Sequence, residues 1–325
     1  MARGNFDVVV AGMRQLTLRV REYVLRSVDG KPLPDYSAGA HVAVHTLSAE
    51  RGPIVRHYSL VGGADLQDDP RNTYRIAVQR EDHARGSAYI HSTLQIGTPL
   101  RIGPPVNNFP LDRRDSQVLL VAGGIGITPI FSMARSLTRR HRPFRVVYAG
   151  RNAESMAYRE ELAQLADDRA RFHYSDTQGP ADLEALLNAQ PAGTTVYICG
   201  PAKMIEATQA AATRLEWAAG RVRSEMFGAG IIGIATPFTV RLQRTGRTIQ
   251  VGADVSILDA LMAEGVTVLW DCRRGECGLC PLPVLSSDGP LQHHDRYLSD
   301  EEKTSGDTLC ICVSRTRGSE LVLDA

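Results

Sequence analysis

Residues 271–280 read DCRRGECGLC, which sets Cys272, Cys277 and Cys280 in a C-x4-C-x2-C pattern. A further pair follows: 29 residues separate Cys280 from Cys310, and 31 separate it from Cys312. Three thiolates from one wrapped loop and a fourth from a distant strand is the spacing of a plant-type [2Fe-2S] centre. Gly275 and Gly278 permit the tight backbone that turns amide N–H groups toward the sulfurs. Zinc also takes four thiolates, but usually from two short knuckles, and only one true knuckle exists here. The alternative to a redox protein is therefore a zinc-stabilised binding module without catalysis. Colour separates the two, since the zinc protein is colourless.

The texture on either side of this loop supplies the rest of the architecture. Downstream of GAGIIGIATP, a breaker-rich stretch read as a linker over 228–236, come FTVRLQ, RTIQV, a helix in SILDALMAEG, the cysteine loop, LPVLSS, a helical turn at LSDEEK and two closing strands. Upstream, residues 113–227 alternate strands (VLLVA, FRVVYAG, RFHYS, TVYICG, RVRSEMF) with helices predicted at 128–140, 155–167, 181–188 and 202–218. Such alternation implies a parallel sheet covered on both faces. Residues 1–112 show short period-two runs (FDVVVAGM, LTLRVREYV, AHVAVHTL, VRHYSLVG, TYRIAVQ) broken by Gly and Pro, the pattern of an antiparallel barrel or sandwich. The fold class is thus multidomain: an antiparallel β-barrel, an α/β parallel-sheet domain and an α+β domain at 237–325.

Composition narrows the function. The chain has 325 residues, too many for one core, with 43% hydrophobic and 22% charged side chains. With 37 basic against 36 acidic residues, no global field favours nucleic acid or an anionic membrane. No apolar run approaches a membrane span and none reads as a secretory signal, so a cytoplasmic protein is expected, in which cysteines are ligands or buried thiols rather than disulfides.

Three further stretches carry chemistry. VAGGIGITP (121–129) follows a strand and opens a helix, where free backbone donors and the positive helix end receive a phosphate. Pro129 stands where the dinucleotide fingerprint needs its last Gly, so a plain tight turn is the competing reading. CGP (199–201) closes another parallel strand at the same edge. RHYSL (56–60) offers a guanidinium fork suited to phosphate and an aromatic face suited to a planar ring, and ARGSAYIH (84–91) supplies Gly86 and Ser87 at a helix start.

Taken together, and in this order, these motifs resemble the phthalate dioxygenase reductase family, within the ferredoxin–NADP reductase superfamily, over essentially the whole chain. HHDRYLSDEE (293–302), CVSR (312–315) and the terminal LVLDA belong to the resemblance. It implies an FMN-binding barrel at 1–112, an NAD-binding domain at 113–227 and a plant-type ferredoxin domain of the β-grasp class at 237–325. By resemblance, Arg56 pairs with the flavin phosphate, Tyr58 packs on the isoalloxazine, Ser59 reaches its N5 side, and Gly86 and Ser87 form a second phosphate clamp. Gly123, Gly124, Gly126 and Thr128 receive the NADH pyrophosphate. Cys199, Gly200 and Pro201 lie near the nicotinamide, with Glu225 and Phe227 beside the rings. The string CVSR selects Cys312 rather than Cys310 as the partner of Cys272, Cys277 and Cys280, although the residue count favours Cys310. The two are expected on one strand, facing the same way. Two departures stand out: R-R-G-E-C replaces a more acidic and then apolar pattern, and about two extra residues fall around VLSSDG (284–289).

The resemblance further implies electron flow from NADH through FMN to [2Fe-2S] and on to a separate Rieske-type terminal oxygenase acting on an aromatic or similar small substrate. A different acceptor, such as a demethylating monooxygenase, is the alternative. No acid or base is needed for hydride transfer, so no catalytic carboxylate is assigned; Ser59, Cys199 and Glu225 make its neighbourhood. Asp176 and Arg151, at parallel strand ends, are candidates for the adenosine ribose, and the absence of a basic cluster there favours NADH. His293 and His294 are expected as exposed loop residues, and the protein as a monomer.

Overall fold

Alternation in the first hundred residues becomes a six-stranded antiparallel sheet: β1 (Phe6–Gln15), β2 (Val20–Ser27), β3 (His41–Ser48), β4 (Gly52–Ser59), β5 (Thr73–Gln79) and β6 (Pro99–Ile102), ordered β4-β3-β6-β1-β2-β5. A bridge between Leu60 and Ile76 joins the two outer strands, closing the sheet into a barrel and removing its edges. Val8, Val10, Tyr23, Leu25, Val42, Val44 and Ile76 fill the interior, and helix α1 (Ser87–Thr93) adds Ile90 to it. The computed structural model describes residues 4–48, 52–62, 72–81, 87–227, 236–253, 255–270, 275, 277–295 and 297–325.

The second sheet is wholly parallel, with β7 (Val118–Gly123), β8 (Phe144–Gly150), β9 (Ala170–Tyr174), β10 (Thr195–Cys199) and β11 (Val222–Glu225) ordered β11-β10-β7-β8-β9. Every residue of β7 is buried, as a central strand covered on both faces requires. Helices α2 (Ile127–Arg139), α3 (Arg159–Ala166), α4 (Ser175–Gln178), α5 (Leu183–Asn188) and α6 (Ala202–Arg214) connect the strands. The helix expected over 155–167 is shorter, because Tyr158 adopts a left-handed backbone (φ 57°) that separates a 3-10 turn at Ala153–Ser155 from α3. The helix expected to reach 218 stops at Arg214, where Glu216 turns left-handed (φ 55°) and the Trp217 amide donates to the Ala212 carbonyl.

The chain divides into two compact units, Met1–Met226 and Phe227–Ala325. The barrel and the parallel sheet share the first. The second holds β12 (Phe238–Leu242), β13 (Thr248–Val251), α7 (Ile257–Ala263), β14 (Pro281–Ser287), β15 (Leu291–Gln292), α8 (Asp300–Ser305), β16 (Thr308–Cys310), β17 (Arg315–Thr316) and β18 (Glu320–Leu323). Five of these strands form a mixed sheet ordered β13-β12-β18-β14-β16, with α7 burying Ile257, Leu258 and Leu261 in its core. The β14–β18 pairing slips between Val284 and Ser286, a bulge within the segment expected to be lengthened. Of the expected linker, 228–235 lie outside the described residues.

Candidate functional site

Strand order reverses between β7 and β10, and ligands of open α/β sheets bind at such a reversal, beyond the carboxyl ends of the strands. Both glycine motifs sit there. Register aligns Ala122 with Cys199 and Cys199 with Glu225, so three adjacent strands end in one row. Cys199 and Glu225 are 0% and 1% exposed. The turns after β7 and β10 press backbone on backbone: a methyl on Gly123 would lie 2.7 Å from Pro201 Cδ, and one on Gly200 3.0 Å from Gly123 Cα. A methyl on Gly126 would strike the Cys199 carbonyl. These three glycines are thus already required by close packing, whatever they bind. Gly124 differs, with φ 54° and open space where a side chain would stand. Tyr148 donates its hydroxyl to the Gly124 carbonyl at 3.1 Å, and Thr128 donates to the Ile125 carbonyl at 3.1 Å, so both fix the turn. Tyr148 was not singled out by sequence reasoning.

In the barrel, Arg56, Tyr58 and Ser59 lie on β4. Alternation puts Arg56 and Tyr58 on one side and Ser59 on the other. Arg56 is exposed, with Nη1 donating to the Val55 carbonyl at 2.9 Å. Burial pushes the Tyr58 phenol well above its ordinary range, so it stays neutral. Ser59 is 5% exposed, and among the described residues its Oγ has no hydrogen-bond partner. Buried hydroxyls are nearly always paired, and an orphan at the end of the strand carrying the flavin-type motif fits a ligand donor or acceptor. Just past it, Gly62 approaches Ser132 and Arg135 of α2, which carries this strand end to the parallel-sheet domain. Ser87 Oγ accepts the Glu81 amide at 3.0 Å, tying the ends of its loop. Gly86 lies outside the described residues.

In the second unit, Cys280 Sγ lies 3.1 Å from Cys312 Sγ. Its neighbours Cys310 first and Cys312 second hold the Cys280 thiol far below its ordinary range, as an anionic ligand needs. Cys277 is half-buried, and Cys272 lies outside the described residues. Among the described residues no three His, Cys, Asp or Glu side chains converge on a single metal ion. The loop itself is cradled closely. Gly275 (φ 70°) and Gly278 (φ 71°) use backbone that only glycine adopts freely, and side chains there would strike Asp295 and Tyr297. Two left-handed glycines beside Cys277 and the buried Cys280–Cys312 pair fit an iron–sulfur centre. One expectation is corrected: β16 ends at Cys310, and the Val313 and Ser314 amides donate to the Cys310 carbonyl, so Cys312 lies in a turn rather than on that strand. The histidines are also not exposed: both are half-buried, and His293 Nδ1 is 3.5 Å from Asp295 Oδ1. Phe227 is half-buried at the start of the second unit.

Comparison with known proteins gives the family. Residues 120–210 match the oxidoreductase NAD-binding domain family, and 240–317 the 2Fe-2S iron-sulfur cluster binding domain family. The chain is 41% identical over 321 residues to the heme-dependent oxidative N-demethylase beta subunit of Ectopseudomonas mendocina, covering 98% of each. It is 40% identical to the putative toluene-4-sulfonate monooxygenase system reductase subunit TsaB2 of Comamonas testosteroni, covering 98% of this chain and 99% of that one. The solved structure of phthalate dioxygenase reductase superposes with a TM-score of 0.82 at 33% identity, over 99% of this chain and 98% of that one. With likeness of this kind running from end to end, the chain belongs to the phthalate dioxygenase reductase family, NADH-dependent oxidoreductases that carry electrons through FMN to a [2Fe-2S] centre.

Proposed function

We propose that this protein is the reductase component of a multicomponent oxygenase, delivering single electrons to a separate Rieske-type terminal oxygenase that attacks an aromatic or similar small substrate. The observation that carries the reading is the coexistence in one chain of the Ala122–Cys199–Glu225 row, the buried unpaired Ser59 and the Cys280–Cys312 thiol pair. When bound, FMN accepts two electrons as hydride and passes them on singly, which a one-electron centre requires between itself and a nicotinamide.

The chain's own part is placement. Gly124 leaves room for a phosphate at the start of α2, and the rigid turns around it fix where the nicotinamide end falls. Cys199 and Glu225, nearly water-free, shape the wall at the strand ends. Ser59 supplies a hydroxyl on the flavin side, while Arg56 and Ser87 serve the flavin phosphate. Cys272, Cys277, Cys280 and Cys312 hold the irons, and Phe227 borders the rings. No side chain has to move a proton in the hydride step, so precision of approach sets the rate. The protein works as a cytoplasmic monomer without nucleic acid or membrane.

A demethylating partner is the second reading, supported by the 41% identity to a heme-dependent N-demethylase subunit. Anaerobic mixing of the NADH-reduced protein with a purified Rieske oxygenase or a heme demethylase separates the two: the true partner is reduced within turnover time and the other is not. Failure with both classes overturns the reading. Cofactor analysis is the prior check: one FMN and two irons are expected per chain, and FAD on acid release, or stoichiometric zinc, contradicts it.

A further inference from the structure

Three thiols crowd the place where the cysteine loop meets the closing strands. Cys280 Sγ is 3.1 Å from Cys312 Sγ, and Cys310 belongs to the same buried cluster. Backbone register explains the crowding. Pro281 stands opposite Cys310 across the antiparallel β14–β16 pair, so Cys280 is one residue from that pairing. The chain then bends at Cys310, whose carbonyl takes the amides of Val313 and Ser314, and this turn brings Cys312 back toward the same sulfur. Cys280, Cys310 and Cys312 are 4%, 0% and 7% exposed and belong to one buried cluster.

A two-iron centre uses four thiolates, and Cys272, Cys277 and Cys280 supply three. One sulfur of the remaining pair is therefore left beside the centre. A spare buried cysteine is ordinarily an inert filler, enclosed by apolar side chains. Cys310 instead shares its buried cluster with two ligand thiols and pairs across the strands with the residue that follows Cys280.

We propose that the fourth ligand position is degenerate: Cys310 is a second donor, able to hold the iron that Cys280 holds when Cys312 is removed. The proposal rests on the cluster reading above, which the iron and sulfide content of the unaltered chain tests on its own. The exchange moves no electron. In a chain without the Cys312 thiol the iron–sulfur bond forms directly to Cys310 as the centre assembles, and the Cys310 thiol gives up its proton to solvent.

The test uses the full chain as Cys310→Ala, Cys312→Ala and the double variant, prepared anaerobically, with FMN content as a control on the first unit. Iron, acid-labile sulfide, visible circular dichroism and the electron paramagnetic resonance of the dithionite-reduced protein are measured. Cys310→Ala is expected to match the parent. Cys312→Ala is expected to keep most of its iron and sulfide with shifted spectra, and the double variant to hold at least about tenfold less. Equal loss in Cys312→Ala and the double variant overturns the proposal, as does equal retention in both. Should the alanine cavity unfold the second unit, the near-isosteric Cys312→Ser is compared with and without Cys310→Ala. Spectra that change on removing Cys310 support the proposal, and identical spectra overturn it.

Discussion

Tyr158 donates its hydroxyl to Glu22 Oε2 at 2.7 Å, joining the residue ahead of α3 to strand β2 of the barrel. Glu22 is 2% exposed and also receives Arg75 Nη1 at 3.0 Å and Arg14 Nε at 3.3 Å. Tyr158 stacks on Phe131 of α2, with ring centroids 5.2 Å apart and 12° between planes. Burial first, and then the Glu22 charge, push its phenol well above the ordinary value, so it remains a donor throughout the working pH range. A buried carboxylate with donors from both layers of the first unit fixes the approach of the nicotinamide domain to the flavin barrel.

Tyr158→Phe should therefore do two things. It leaves the buried carboxylate one donor short, costing about 1–3 kcal/mol, read as a lower thermal midpoint. It also loosens the alignment on which hydride transfer depends, and flavin reduction at saturating NADH should slow by about tenfold with FMN content unchanged. Stopped-flow reduction at the parent rate would show that the pair supports stability only.

Ser59→Ala separates a ligand role from a packing role. Its hydroxyl is buried without a partner among the described residues, so deleting it should leave the FMN-free protein as stable as before or slightly more so. With FMN bound, the lost hydrogen bond should slow flavin reduction by about two- to tenfold. A destabilised FMN-free protein with normal kinetics would mean that the hydroxyl serves the fold.

These cases show which parts of the site could be read from the chain. RHYSL, GGIG, CGP and the cysteine loop stand out because their chemistry depends on residue types at short, fixed spacings. The Glu22 cluster does not. Two of its partners, Arg75 and Tyr158, lie 53 and 136 residues away, and an acid between Arg21 and Tyr23 looks like any solvated strand position. The left-handed Tyr158 is equally silent, because a tyrosine in REEL-type surroundings carries helix propensity, and tertiary packing overrides it. Cys312 was misplaced for a related reason: period-two spacing with Cys310 reads as strand, whereas two backbone bonds to the Cys310 carbonyl make a turn.

The two loop glycines should differ in their tolerance of alanine. Both have φ near 70°, a penalty of about 1–2 kcal/mol for any side chain. A methyl on Gly278 first meets the ring of Tyr297, which is 51% exposed and can swing away. On Gly275 it would lie 2.7 Å from Asp295 Cα, which is backbone and cannot yield cheaply. Gly275→Ala should lose most of its iron, and Gly278→Ala should retain more of it, with FMN and its reduction by NADH unaffected in both. Equal iron in the two variants would show that the loop relaxes as a whole.

Coenzyme choice should turn on the other edge of the parallel sheet. The Asp176 amide donates to the Arg151 carbonyl at 3.1 Å, so these exposed residues lie side by side just beyond β9 and β8. An acid there favours a free ribose 2′-hydroxyl and repels a 2′-phosphate, while the guanidinium does the reverse. One surface charge at close range is worth about 1 kcal/mol in water. Asp176→Asn should accordingly raise kcat/KM for NADPH by about three- to tenfold while NADH falls slightly. Arg151→Ala should lower NADPH use by a similar factor and spare NADH. Both effects should shrink as ionic strength rises, since the two side chains are open to solvent. An unchanged NADH-to-NADPH ratio in Asp176→Asn would place the adenosine ribose elsewhere along the strand ends.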